Sequence, residues 1–320
     1  MRQKTGALHR LFQNNYRLLH YRLGGVITVE DGQARILLLS SSPHHLTSPI
    51  WMLAAITRPL PSLQVCSDSG RLVSFGALKD AAFRWGGYLL TKGLERGSVV
   101  AVLSPNMVDY PAVMLGTFSV GCVYTGINPS YTPTEVAYQL KDSGAKMLVV
   151  FGPLLEVAKK AMAINKQDLP MVAIGSSDGL PNVADIVQDT TINFAPPAKL
   201  TGEECMALLY SSGTTGKPKG VSVHHTAGIA NLDMISHPSY FLGGLSTADS
   251  PSFALALPMF HLSGFLAITS LAVLNGVKLV NVTKFNPGTF IDILLENRVS
   301  HRSTNRELLK KVYSIQAKST

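Results

Sequence analysis

From about residue 71 onward, short apolar runs alternate with amphipathic stretches, a pattern that predicts a parallel sheet with helices packed on it. The runs that predict strands are Val99 to Leu103, Val123 to Thr125, Met147 to Phe151, Met171 to Ile174, Met206 to Tyr210, Gly220 to Val223, Phe253 to Leu257 and Val277 to Val282. Between them the helices carry readable punctuation. Thr132 is placed to cap one, Pro133 occupies its first turn at no hydrogen-bond cost, Glu135 completes a capping box and Gly144 stops it. Asn286 and Pro287 open another helix, expected to bury Phe290, Leu294 and Leu295. Pro and Gly cluster over 175–200, which predicts a surface connection into the next strand.

The uncharged stretch between Asp249 and Lys278 is long enough to suggest a membrane span. Pro258, His261 and Gly264 cut it into a strand, Phe253 to Leu257, and a helix from about Leu262, so a buried strand and a buried helix are expected instead. Residues 36–57 are also uncharged, but Pro43, Pro49 and two histidines make them a poor spanning helix. The fold class predicted is α/β, with parallel sheets and helices on both of their faces.

Composition changes this picture little. The chain has 320 residues, 46% hydrophobic and 15% charged, enough for one or two cores and incompatible with disorder. The formal charge of +8 sits at the ends: residues 1–29 carry five basic and no acidic residues, and residues 298–320 carry six basic residues against Glu307. The rest is nearly neutral and lacks a basic stripe with stacking aromatics, which argues against a nucleic-acid partner. Leucines at near-helical spacing in the basic start could mark a mitochondrial presequence or an irregular solvated terminus, and both readings stand. Cys66, Cys122 and Cys205 form neither a disulfide framework nor a metal-ligand spacing, so a reducing, intracellular setting is expected, cytoplasmic first. The terminal Ala317-Lys318-Ser319-Thr320 is not the Ser-Lys-Leu peroxisomal address.

The candidate chemistry lies directly after the run Met206 to Tyr210. Ser211, Ser212, Gly213, Thr214, Thr215, Gly216, Lys217, Pro218, Lys219 and Gly220 pack four hydroxyls, three glycines and two lysines between two strands. Glycines admit an anion close to backbone N–H groups, hydroxyls donate further bonds and lysine adds a point charge, so the composition suits a triphosphate. Ser211 and Pro218 stand where a Walker A loop requires Gly and Ser/Thr. A solvent-exposed polar turn has the same composition.

The ordered string resembles the signature loop of the adenylate-forming superfamily, which includes acyl-CoA synthetases, 4-coumarate:CoA ligases and insect luciferases. Residues 73–150 resemble its early helix-strand units, with Asn128-Pro129 and Tyr131-Thr132-Pro133 as its usual turn, and Leu257 to Gly264 resembles its second core motif. The resemblance covers roughly residues 64–301, and beyond His301 the expected apolar strand and Val-Pro-Pro turn give way to a basic tail. It implies the N-terminal part of the family's large domain, incomplete, flanked by an atypical extension over 1–63 and a divergent tail over 302–320. An alternatively spliced or mispredicted product is one expectation from that break.

By the same resemblance Ser211, Ser212, Gly213, Thr214, Thr215 and Lys219 correspond to residues closing on the ATP phosphates. His261 is the candidate catalytic residue beside the acyl pocket, Ser263 lines that pocket, and Lys284 corresponds to a residue contacting coenzyme A. A satisfied core histidine and a solvated lysine are the plain alternatives for His261 and Lys284. The implied substrates and cofactors are a carboxylic acid, ATP, Mg²⁺ and coenzyme A; the implied activity is acid:CoA ligation through an acyl-adenylate. The alternative is a non-catalytic shortened form that retains ATP or acyl binding, or pairs with a full-length relative.

Overall fold

The computed structural model describes residues 70–176, 179–211, 218–236 and 252–303 except 298 and 300, together with strands Gly25–Glu30, Gln33–Leu38 and Gln64–Ser67. Its elements follow the apolar runs closely. The strands are β1 (Gly25–Glu30), β2 (Gln33–Leu38), β3 (Gln64–Ser67), β4 (Leu72–Ser74), β5 (Val99–Leu103), β6 (Val123–Ile127), β7 (Ala145–Phe151), β8 (Met171–Ile174), β9 (Cys205–Ser211), β10 (Lys219–His224), β11 (Ser252–Leu255), β12 (Lys278–Asn281) and β13 (His301–Ser303). β1 and β2 form an antiparallel hairpin. The other strands form a six-stranded sheet in the order β10-β9-β6-β5-β7-β8 and a five-stranded sheet in the order β13-β11-β12-β3-β4. Both are mainly parallel, with antiparallel pairs at β9/β10 and β3/β4.

Helices cover both faces of the larger sheet, as predicted. On one face lie α1 (Phe75–Thr91) and α2 (Tyr110–Ser119), and on the other α3 (Pro133–Asp142) and α4 (Leu155–Asn165). β5, Val-Val-Ala-Val-Leu, is buried at every residue, as the central strand of a doubly covered sheet must be. α2 is buried all round, and its Gly116 lies so close to α1 that a Cβ there would collide with the Ala82 carbonyl. Trp85 of α1 is fully buried and donates through Nε1 to Thr117 Oγ1 at 3.2 Å; burying such a side chain is worth roughly 3 kcal/mol. α3 has the expected capping box: Thr132 Oγ1 accepts from the Glu135 amide, and the Glu135 carboxylate accepts from the Thr132 N–H at 2.8 Å. Gly144, at φ +65°, ends it.

Val100 and Val102 of β5 share one apolar core with Phe253 and Leu255 of β11 and Leu279 of β12, so the two sheets pack through common side chains. The stretch beyond Pro258 is a π-helix, Ser263–Ser270, running directly into the helix Leu271–Asn275; its buried Phe265 and Leu266 join the same core. Numbered in chain order, the remaining helices are α5 (Val183–Ile186), α6 (His225–Ser236), α7 (Leu271–Asn275, continuing that π-helix) and α8 (Pro287–Glu296). Among the described residues no helix is long and apolar enough to cross a membrane.

Two expectations need correction. Leu295 is 70% exposed, whereas Phe290 and Leu294 are buried against Ala254 and Val282. Phe290 and Leu294 are one helical turn apart on a single face, and Leu295 lies about 100° further round it. The 175–200 connection is not merely superficial: Val183, Ile186, Ala195 and Leu200 are buried. Arg84 of α1 donates to the carbonyls of Asp189 (2.6 Å) and Ile192 (3.0 Å), pinning the segment onto that helix.

Candidate functional site

The hydroxyl-rich segment joins β9 to β10, and its two ends face each other: Ser211 pairs with Lys219 and Tyr210 with Gly220. Ser211 and Lys219 are exposed. Ser212, Gly213, Thr214 and Thr215 lie outside the described residues. Both ends of the hairpin are held by α3. The Tyr138 hydroxyl donates to the Pro218 carbonyl at 3.0 Å, and the Tyr210 hydroxyl donates to Asp142 Oδ2 at 2.6 Å. Partial burial, then the Asp142 carboxylate, push the Tyr210 hydroxyl well above its ordinary pKa, so it stays a donor.

The next residue on α3, Gln139, reaches the carboxyl end of β6. Its Nε2 donates to Thr125 Oγ1 at 3.0 Å and to the Gly126 carbonyl at 2.9 Å, while Thr125 Oγ1 donates to the Leu208 carbonyl of β9 at 2.8 Å. This relay bridges two strands whose direct pairing is limited to Tyr124 with Ala207. Gly126 is also where the second sheet's histidine turn approaches, since a Cβ there would meet Phe260, the neighbour of His261, at 2.6 Å.

That turn is tightly built. The His261 N–H donates to the Pro258 carbonyl at 3.1 Å, and Gly264 packs over Pro258 so closely that any side chain would strike its carbonyl. The buried Tyr110 hydroxyl meets that of Tyr124 at 2.7 Å, and Tyr124 donates to the Met259 carbonyl at 3.2 Å. Burial raises the pKa of both tyrosines, keeping them protonated. His261 itself is exposed. Its Nδ1 lies 3.0 Å from Ser263 Oγ and accepts from the Ser263 backbone N–H at 3.4 Å. An amide can only donate, so this contact uses Nδ1 as the acceptor and leaves Nε2 to face a ligand.

The structure therefore gathers Ser211, Lys219, His261 and Ser263 around the carboxyl end of β6, on two turns joined through α3 and β6. Strand carboxyl ends are where open α/β sheets bind ligands. Lys284 is exposed on the connection between β12 and α8. Sequence reasoning missed Tyr124, Gln139 and above all Asn106. The signal for Asn106 was a polar amide three residues beyond the apolar strand β5, directly after Pro105.

The chain belongs to the AMP-binding enzyme family, whose family model matches residues 55–312. Among its relatives, "4-coumarate--CoA ligase-like 9" of Oryza sativa subsp. japonica is 29% identical over 244 residues, 74% of this chain and 42% of that protein. "Long-chain-fatty-acid--CoA ligase FadD13" of Mycobacterium tuberculosis is 26% identical over 251 residues, 78% of this chain and 48% of that protein. The chain thus spans less than half the length of these curated relatives. The N-terminal domain of FACL13 from Mycobacterium tuberculosis superposes with TM-score 0.70 at 24% identity, covering 83% of this chain and 65% of that one. The luciferase-like enzyme of the nonluminescent Zophobas morio mealworm gives 0.74 at 15% identity, covering 85% and 63%. These similarities agree in fold: mainly parallel sheets with helices, as in the N-terminal domain of adenylate-forming enzymes.

Proposed function

We propose that this chain carries the ATP-facing and acyl-facing surfaces of an acid:CoA ligase, activating a carboxylic acid as its adenylate and passing the acyl group to coenzyme A. The observation that carries the reading is the convergence of the β9–β10 hairpin and the His261 turn on the carboxyl end of β6. In the first step a carboxylate oxygen bonds to the α-phosphorus as the bond to the bridging oxygen breaks, and pyrophosphate leaves. Both reactants are anions, so positioned donors must offset the charge that gathers in the transition state. Ser211, Ser212, Gly213, Thr214, Thr215 and Lys219 are assigned to the β- and γ-phosphates. His261 Nε2 is assigned to the incoming carboxylate, with Ser263 beside it in the acyl pocket. In the second step the coenzyme A sulfur bonds to the acyl carbon and AMP departs, with Lys284 assigned to the coenzyme's phosphates.

Among the described residues no group of three His, Cys, Asp or Glu side chains is placed to hold a metal ion. Mg²⁺ typically binds through substrate phosphates, and every role above is assigned to the chain's own groups. Cys122 and Cys205 are free thiols, in keeping with an intracellular setting, cytoplasmic or mitochondrial.

The test is pyrophosphate release with ATP, Mg²⁺ and a panel of hydroxycinnamic and fatty acids. Release that depends on one acid class and falls at least a hundredfold in Lys219→Ala supports the reading. Saturable ATP binding without release for any acid supports the second reading, binding without turnover. Neither binding nor release from folded protein would remove both.

A further inference from the structure

Asn106 sits in the loop between β5 and α2 of the six-stranded sheet, and among the described residues its side chain bonds across to the ends of β11 and β12 and to the turn after β11. It is 5% exposed, and Nδ2 lies 3.2 Å from the Leu255 carbonyl at the end of β11, 3.0 Å from the Leu257 carbonyl and 3.4 Å from the Val282 carbonyl just beyond β12. Oδ1 accepts from the Met259 N–H at 2.8 Å. One carboxamide therefore holds both strand exits of the second sheet and the first residue after Pro258. The Leu255 carbonyl also accepts from the Val282 N–H at 3.1 Å, so the amide adds a second donor at the last rung of the ladder and reaches beyond it to the Leu257 and Val282 carbonyls.

From these contacts we infer that Asn106 is the positioning residue that fixes the His261 turn against the first sheet, and so sets the distance between acyl and phosphate ends of the site. The catalytic consequence rests on the function proposed above; the placement of the turn does not. Asparagine is specific to this task because it offers donor and acceptor from one short, rigid group. Aspartate keeps the acceptor for Met259 but turns a carboxylate oxygen towards three carbonyls, and serine is too short to span the same partners. A side chain whose bonds locate another residue's reacting group acts through geometry, where displacements of about 1 Å already cost catalysis.

The experiment compares the full chain with Asn106→Asp and Asn106→Ser by amide hydrogen exchange. It also measures binding of two probes: ATP, and a 5′-O-(N-acylsulfamoyl)adenosine bearing the acyl group that the unmodified chain prefers. Expected are a loss of Met259 protection of at least a hundredfold with Val100 to Val102 of β5 still protected, and acyl-probe affinity falling more than tenfold with ATP affinity within twofold. Unchanged Met259 protection would overturn the inference, as would equal losses for both probes. Loss of β5 protection in both variants would overturn it too, because Asn106 would then be a general core residue. If the unmodified chain binds neither probe, the proposed function fails, and the exchange at Met259 alone decides the role of Asn106.

Discussion

Gly264 illustrates how narrowly the site is built at the scale of single residues. A methyl group there would overlap the Pro258 carbonyl, which is backbone and cannot swing aside. Gly264→Ala is therefore expected to cost about 2 kcal/mol, the range for overpacking, and to disturb the turn that carries His261. Urea unfolding of the two proteins checks this. His225 makes a different prediction. It is 2% exposed with Nε2 unpartnered, its ring edge-on to Phe118. Burial pushes its pKa down to about 4, the nearby Glu204 opposing that shift and His224 adding to it. The unfolded chain binds this proton near 6.5 and the folded one does not until about pH 4. Stability is thus full above pH 6.5 and declines as pH falls towards 4, by roughly 3 kcal/mol for this one group. Glu204 titrates lower. Burial works against it, but the N–H groups of Thr201 and Gly202 and the Thr201 hydroxyl hold it down at about 2, so its contribution is lost only below about 4.5. Denaturant melts of the parent and His225→Phe between pH 4.5 and 7 should show that window flattened in the variant.

At the scale of elements, the antiparallel hairpin is an addition at the edge of a parallel sheet, steadied by α3 at Pro218 and Tyr210. Replacing Tyr138 and Tyr210 together by Phe removes two hydroxyl bonds and leaves the rings. The expected cost is about 1 kcal/mol per bond, read as faster exchange over 205–224 while β5 is unchanged. α1 and α2 make the complementary case: Gly116→Val would drive a branched side chain into the Ala82 carbonyl and Trp85, and should destabilise the whole domain by several kcal/mol. A thermal melt checks it, and a cost under about 1 kcal/mol would contradict that packing.

For the whole molecule, what could be read from sequence depended on range. β5 and β8 coincide with their apolar runs, because strands covered on both faces need unbroken hydrophobicity and little else does over so few residues. The Thr132 capping box was legible because all its partners lie within four residues. Leu295 misled because both faces of that short helix carry apolar residues and only packing chooses between them. The parts of the site that set its geometry were hidden. Asn106 finds its partners about 150 residues away, and Tyr138 meets Pro218 across 80. No local period encodes such pairs; they arise where two sheets end together.

The central claim is that the β9–β10 hairpin grips the tail of ATP. The most direct measurement is amide hydrogen exchange over residues 211–220 of the full chain, with and without saturating ATP and Mg²⁺, repeated with the double substitution Ser211→Ala and Lys219→Ala. The account predicts at least tenfold slower exchange in this segment when ATP is added, abolished in the double variant. Exchange unaltered by ATP, in a chain whose β5 amides remain protected, would contradict it.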